Sequence, residues 1–311
     1  MSFDMKRYCI LLLIGLLSCE SHLEIVLPEA EDALILNAQL KTSSVFQQAY
    51  LDHSSSVRGI TDASGATLRM WNMDRKATEL EATADVGGIV VFSLPALQPG
   101  ERLRLEAAYA GNKVWSEVTV PQPVQILQVD SSRVLVAGFA GMVREFLQFR
   151  VRFKDPEGRQ YYRFEMRDIR DPLQPETIPL DASSDPVLSG VSGSGLDSYF
   201  TVRNAYLVFS DEAFDGKERT FLLNLPIGET NWQGYDVRIY LQSIDFEEYH
   251  YLRSLNNMES FGYEEVLMIE PTTLPVNVHG GLGFVGMMTE WGSLEHFVLP
   301  VTGPVFEEAE P

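Results

Sequence analysis

The run NVHGGLGFVG at residues 277–286 places Gly281, Gly283 and Gly286 in the spacing G-x-G-x-x-G. In nucleotide-binding proteins this spacing wraps a pyrophosphate, with a strand before the glycines and a helix and a second strand after them. Only 25 residues follow Gly286, and they hold a further glycine, a proline and an acidic end. We therefore predict that the chain has no dinucleotide site and that these glycines allow close packing of the backbone.

Short strands with turn signals between them fill the first third of the chain. Leu103 and Leu105 alternate with Arg102 and Arg104, as on a strand with one buried face. Six segments follow this pattern: 23–27, 33–40, 66–72, 87–94, 101–109 and 112–120. Because no helical period separates them, we predict an all-β fold that begins with an immunoglobulin-like β-sandwich over residues 19–121.

The tripeptide PQP at 121–123 marks the predicted boundary, because proline cannot donate to a strand ladder. Beyond it we predict a larger C-terminal β-rich domain over residues 122–303, followed by an acidic tail at 304–311. One short helix is predicted within 245–258, where Asp245 can cap the first turn and Glu248 can complete a capping box. Its apolar stripe comprises Phe246, Tyr249, Leu252, Leu255 and Met258.

A basic segment lies between residues 144 and 170. Apolar and polar residues alternate on both sides of the turn DPEG at 155–158, which predicts a β-hairpin with one polar face. The predicted docking patch on that face comprises Arg150, Arg152, Lys154, Arg163 and Arg167. Cross-strand salt bridges are the favoured interpretation, because Glu165 lies among these cations and exposed pairs are common. The functional alternative is a surface that binds an anion or docks a partner.

The N-terminus resembles a bacterial lipoprotein signal. Residues 1–18 contain a short basic region and an apolar run that is too short to span a bilayer. Cys19 follows directly and is the predicted site of lipid attachment. The other cysteine, Cys9, lies inside the signal, so the mature chain has no disulfide. The net charge of −20 excludes nucleic acid as a partner.

Catalytic and metal-binding motifs are matched only in part. Asp211, Asp215 and Gly216 fit a calcium loop, but Ala213 and Leu222 stand where ligands are needed. A glycosidase needs two facing carboxylates, and with 44 acidic residues such a pair carries no weight. We predict no catalytic residue, no cofactor and no metal, and hence a protein that is not an enzyme.

Serine and histidine chemistry is equally unsupported by the sequence. Ser192 and Ser194 lie in GVSGSG, which lacks the nucleophile-elbow spacing. No zinc-protease motif occurs among the five histidines. His279 adjoins the glycine run and could line a site, although a turn hydrogen bond explains it as well. The histidines are His22, His53, His250, His279 and His296.

Four stretches together resemble the domain-of-unknown-function family 4249. They are FKDPEGRQYYRFEM (153–166), VFSDEAFDGK (208–217), the helix DFEEYHYLRSL after YLQSI, and the ending PVNVHGGLGFVG. The resemblance implies an exported lipoprotein of Bacteroidota, of a kind found beside TonB-dependent transporters, and it carries over no catalytic residue. Residues 20–24, ESHLE, lack the lysine of a compact surface-export signal, so the expected exposure on the cell surface rests on the acids alone.

The leading prediction is therefore a non-catalytic outer-membrane lipoprotein, held by its lipid and exposed on the cell surface. It would bind a ligand or act as an accessory of a TonB-dependent transporter in nutrient uptake. Two alternatives stay open: an exported hydrolase of glycans or peptides, and a structural or adhesive surface protein. The sequence does not identify the ligand.

Overall fold

A computed structural model describes residues 32–55, 59–137, 143–171, 174–189, 204–227, 234–261 and 274–299. Strands dominate these residues, and the predicted all-β class with an N-terminal immunoglobulin-like sandwich and one helix is confirmed. The strands are β1 (Ala33–Lys41), β2 (Gln47–Ser55), β3 (Gly59–Asp62), β4 (Thr67–Asn72), β5 (Ala77–Thr83), β6 (Ile89–Phe92), β7 (Arg102–Tyr109), β8 (Asn112–Thr119), β9 (Ile126–Ala137), β10 (Val143–Lys154), β11 (Tyr161–Asp168), β12 (Glu176–Ile178), β13 (Val208–Ser210), β14 (Glu218–Pro226), β15 (Asp236–Ile244), β16 (Val285–Gly292) and β17 (Phe297–Val298). The helix α1 spans Phe246–Phe261.

These strands form three sheets. A ten-stranded sheet has the order β12-β11-β15-β16-β1-β2-β3, with β13 beside β11, β17 beside β15 and β6 beside β2. A four-stranded sheet has the order β5-β4-β7-β8, and a three-stranded sheet has the order β14-β10-β9. The two smaller sheets pack on the same face of the large one, because the strand register places the buried side chains of β11, β15, β16 and β1 on one side.

Two hydrophobic cores result from this packing. The first core lies under the four-stranded sheet and includes Leu34, Leu36 and Leu105, all fully buried. The second core lies under the three-stranded sheet and is rich in aromatic rings. The Phe164 and Phe221 rings meet edge to face across it, with centroids 5.3 Å apart. Each core therefore joins one half of the large sheet to one small sheet.

The glycine-rich run enters the first core from the far end of the chain. β16 lies between β1 and β15, parallel to β1, with Ala38 opposite Val285. Val278, Val285 and Met287 are buried in the first core beside side chains of the N-terminal strands. The predicted division at residues 121–122 stays a prediction, and the first core itself combines residues from both sides of it.

The predicted hairpin across the DPEG turn is wrong. β10 pairs with β9 and β14, whereas β11 pairs with β12, β13 and β15. The turn carries the chain from the small sheet to the large one, because both strands present an apolar face and the two faces pack on each other. Phe153 of β10 meets Tyr162 of β11 edge to face across the second core, at 5.3 Å between centroids.

The helix α1 packs on the opposite face of the large sheet. Asp245 caps it as predicted, since its Oδ1 accepts a hydrogen bond from the Glu248 backbone N–H at 2.8 Å. The capping box also predicts a hydrogen bond from the Asp245 backbone N–H to the Glu248 side chain, and this part of the prediction is wrong. The Glu248 carboxylate accepts a hydrogen bond from the Gln39 side chain instead. Leu252 is buried as the stripe predicts, but Phe246 is 47% exposed.

Candidate docking surface

Close packing explains the glycine run, as predicted. At Gly281 and Gly283 a Cβ atom would overlap the carbonyl oxygens of Leu34 and Leu36 on β1. Gly283 also has a φ of +113°, which favours glycine. At Gly286 a Cβ atom would overlap the carboxylate of Glu248. The three glycines of the G-x-G-x-x-G spacing thus serve strand and helix packing.

Three residues of the predicted docking patch share one face. Arg150, Arg152 and Lys154 point outward from β10 on the three-stranded sheet, and we call this set the basic face. The inward residues of the same strand fill the second core, so the strand alternates as predicted. The basic face is bordered by β9 on one side and β14 on the other.

The charges of the basic face are compensated unequally. Arg152 donates to Glu218 at 2.8 Å and also to Gln128, which in turn donates to Asp130. Within the described part of the chain, Arg150 and Lys154 form no ion pair. Both are exposed, with Asp130 and Glu218 opposite them in the strand register, so this face presents two cations that form no ion pair among the described residues, on a chain of net charge −20. An acidic partner surface is the electrostatic complement of such a patch.

The other two patch residues lie elsewhere, and this part of the prediction is wrong. Arg163 and Arg167 project from β11 on the face of the large sheet that carries α1. That face is on the far side of the sandwich from the basic face, because the second core lies between the two strands. The five basic residues that were predicted to share one face therefore form two separate groups.

Arg167 is the centre of a set that we call the charged network: Lys41, Glu165, Arg167 and Glu290. Arg167 forms ion pairs with both glutamates, and Lys41 Nζ lies 2.6 Å from Glu290 Oε1. Gln242 donates to both glutamates at 2.9 Å. Arg167 thus forms salt bridges, as the favoured interpretation has it, but with Glu165 of its own strand and, across strands, with Glu290 of β16.

Burial and ion pairing shift the pKa values of the charged network in opposite directions. Burial alone would raise the pKa of Glu165 and of Glu290, but the hydrogen bonds and charge of Arg167 outweigh it, so both pKa values lie below the usual range. For Lys41 burial dominates over the attraction of Glu290 and lowers its pKa. The two glutamates are therefore ionised in the folded protein at neutral pH.

One cluster of carboxylates has the spacing of a cation site. Oxygen atoms of Asp155, Asp211 and Asp215 lie within 4.8 Å of one another. Burial raises the pKa of Asp155 and of Asp211. Each carboxylate already accepts a backbone N–H from the neighbouring loops: Gly216 to Asp155 at 2.8 Å, Gln160 to Asp211 at 2.7 Å and Gly158 to Asp215 at 2.9 Å. These bonds fix the turn between β10 and β11.

The remaining residues singled out in the sequence have the following places. His279 stacks on Trp115, with ring centroids 3.9 Å apart, and the two backbones pair as an isolated bridge. His296 Nδ1 lies 2.7 Å from an oxygen of Asp236. Cys19, Ser192 and Ser194 lie outside the described residues, as do His22, the segment 23–27 and the acidic tail.

Sequence reasoning missed Lys41, Gln242 and Glu290 as parts of the charged network. They come from β1, β15 and β16, which are adjacent in the sheet but far apart along the chain. Alternation places each on an outward face, but no sequence signal pairs them. Across the described residues, no helix combines the length and apolarity that crossing a membrane requires.

The chain matches a family model, and among solved structures it shows weak likenesses, of which butyrophilin is an example. The family model described as Domain of unknown function (DUF4249) matches residues 20–291. No curated protein matches the chain. The crystal structure of bovine butyrophilin aligns with 68% of this chain and 92% of its own, at 11% identity and a TM-score of 0.22. A likeness this low carries no argument about the fold or the function.

Proposed function

We propose, on the premise that the chain belongs to the domain-of-unknown-function family 4249, that it is a non-catalytic lipoprotein of the outer membrane. In this proposal Cys19 carries the lipid, the folded part lies on the cell surface, and the protein docks on a TonB-dependent transporter as an accessory in nutrient uptake. The basic face is the docking surface.

The observation that supports docking is that the basic face carries two exposed cations that form no ion pair within the described part of the chain. Arg150 and Lys154 lie on a rigid sheet whose opposite side is buried in the second core. Rigid surfaces lose little entropy on binding. Exposed cations on an otherwise acidic protein also orient the approach of an acidic partner, because the acidic surface elsewhere on the protein repels it.

The test is affinity isolation of the lipidated protein from gently solubilised outer membranes, with mass spectrometry of what is retained. We expect a stoichiometric TonB-dependent transporter with the wild-type protein. The double variant Arg150→Glu/Lys154→Glu should lose most of it. The wild-type association should also weaken as salt is raised, because exposed charges are screened.

The matched control is Lys76→Glu/Lys113→Glu, which makes the same change in net charge. Both lysines are exposed; Lys76 lies in the turn between β4 and β5, and Lys113 is the second residue of β8. This control should retain the transporter. Recovery of the protein alone, or equal losses in the two double variants, would contradict the proposal.

The anchor is tested separately. Cys19→Ala should remove the acylation site, and because net negative charge gives the chain no attraction to anionic headgroups, the protein should leave the membrane fraction. Lipidated wild-type protein in the membrane fraction, identified by the mass of its N-terminal peptide, is the expected comparison. A Cys19→Ala protein that stays membrane-bound in high salt would refute lipid anchoring.

A further inference from the structure

A groove lies where the N-terminal strands meet the start of β11 and α1. Its volume is about 520 Å³, within the range of small-ligand sites. We call it the joint groove and define it by six of its lining residues: Glu117, Gln122, Arg159, Tyr161, Phe246 and Glu247. The first two come from β8 and the PQP tripeptide, and the others from β11, its preceding turn and α1. It is distinct from the basic face.

Aromatic rings form one wall of the joint groove. Tyr161 stacks on Tyr249 with centroids 4.6 Å apart at 29°, and Phe246 lies 5.4 Å from Tyr161. Phe246 is 47% exposed although it opens the apolar stripe of α1. Its backbone is held in the first turn of α1, which Asp245 caps, and its ring packs edge to face on His250 with centroids 4.3 Å apart. This wall offers a ring face or edge to a ligand.

The polar residues of the groove constrain the ligand. Glu117 and Glu247 can only accept hydrogen bonds when ionised, Arg159 can only donate, and Gln122 can do both. Arg159 is held only loosely, at 4.0 Å from Glu212 with both side chains largely exposed. An apolar ligand would desolvate both carboxylates, of which Glu117 lies 3.9 Å from Arg104, without offering them a hydrogen bond, which is costly. An anionic ligand would face two carboxylates against one guanidinium.

Hydroxyl groups satisfy all of these partners, because each donates one hydrogen bond and accepts others. A ring that carries hydroxyls at its rim and C–H groups on its faces would also pack against the aromatic wall. We propose that the joint groove binds a neutral saccharide. The inference rests on the proposed role in nutrient uptake and names the class of the nutrient, but it uses none of the docking residues.

The test uses the full lipidated protein in detergent. It is applied to a microarray of neutral oligosaccharides, and each retained glycan is then titrated calorimetrically. We expect at least one glycan to bind with a micromolar to millimolar Kd. Phe246→Ala should weaken that binding about tenfold, because the most exposed ring of the wall is lost, and Glu117→Ala should weaken it from the opposite side of the groove.

Two controls make the outcome specific. Phe46→Ala removes a ring that is 70% exposed outside the groove and should leave glycan binding unchanged. Arg150→Glu/Lys154→Glu should also leave it unchanged, so a failure of docking and a failure of glycan binding are distinguishable. Retention of no neutral glycan at millimolar concentration would overturn the inference. So would a folded Phe246→Ala variant that binds as tightly as the wild type.

Discussion

The carboxylate of Glu248 on α1 occupies the place where a side chain at Gly286 on β16 would begin. Gln39 of β1 donates a hydrogen bond to the same carboxylate. One glycine therefore lets a buried acid of the helix reach the centre of the large sheet. The spacing that resembles a phosphate-binding loop is a packing device here, since the group against Gly286 belongs to the protein itself.

We expect Gly286→Ala to lower the free energy of unfolding by about 2 kcal/mol, as for overpacking of a filled site. In a Glu248→Ala background the same substitution should cost less than half as much, because the space is then free. Urea denaturation of the four proteins gives the double-mutant cycle. Additive effects would show that the two residues do not share this space.

Glu248 should also make stability depend on pH. Burial raises its pKa to about 6, and the Gln39 hydrogen bond and the charge of Arg163 offset only part of that effect. Because folding raises the pKa of this carboxyl, the folded state is favoured when the group is protonated. Its ionisation therefore lowers the free energy of unfolding at pH values above the folded-state pKa. Below the unfolded-state pKa the group has no such effect. The free energy of unfolding of Glu248→Gln should therefore exceed that of the wild type by about 2 kcal/mol at about pH 8.

The same variant should match the wild type at about pH 4, where both side chains are neutral. Glutamine keeps an oxygen to accept the Gln39 hydrogen bond, so the comparison isolates the charge. Urea midpoints measured across this range test the prediction. A gap that stays constant with pH would mean that the charge of Glu248 is not the cause.

The charged network and the basic face offer a matched pair of arginines. Arg167→Met leaves Glu165 and Glu290 buried without their main cation, and we expect a loss of about 3 kcal/mol at neutral pH. Arg152→Met removes an exposed pair with Glu218 and should cost less than about 1 kcal/mol. The free energy of unfolding is measured by urea denaturation, because urea is uncharged and does not screen ion pairs.

The cost of Arg167→Met should shrink in acid. Folding lowers the pKa values of Glu165 and Glu290, so their stabilisation is complete above the unfolded pKa and is lost as pH falls through the folded one. Equal costs for Arg167→Met and Arg152→Met at neutral pH would contradict this account of the network.

Asn277, which begins the glycine-rich run, forms two side-chain hydrogen bonds to Val285 that we call the clasp. Asn277 donates its side-chain N–H to the Val285 carbonyl at 2.7 Å and accepts the Val285 N–H at 2.9 Å. We expect Asn277→Ala to cost about 2 kcal/mol, because two backbone groups lose their partner. Asn37 accepts one N–H, from Phe284 at 3.0 Å, so Asn37→Ala is the control with about half the loss. An Asn277→Ala variant no less stable than Asn37→Ala would exclude the clasp.

Strands and their facing could be predicted from the sequence because alternation has a physical cause. β1, β7 and β8 follow their predicted segments closely, and the inward residues of β10 are buried as expected. The helix was predicted from its cap and stripe. β2 was missed, because its sequence QQAYLDHSS carries few apolar residues at the positions that face the core.

Strand partners could not be predicted, because alternation indicates which face is buried and not which strand lies alongside. The short turn after β10 favoured a hairpin. In the structure β10 and β11 each have an apolar face, and these two faces pack on each other. The same limit separated Arg163 and Arg167 from the basic face. The capping-box spacing likewise gave no sign that Glu248 would bond Gln39, which lies 209 residues away in the chain.

The most direct test of the docking claim is site-specific photo-crosslinking in intact cells, with a photoreactive amino acid in place of Arg150 or, as the control, of Lys113. The account predicts that residue 150 gives one major product containing a TonB-dependent transporter and that residue 113 gives none. Absence of a transporter product at residue 150, or equal products at both positions, would contradict docking through the basic face.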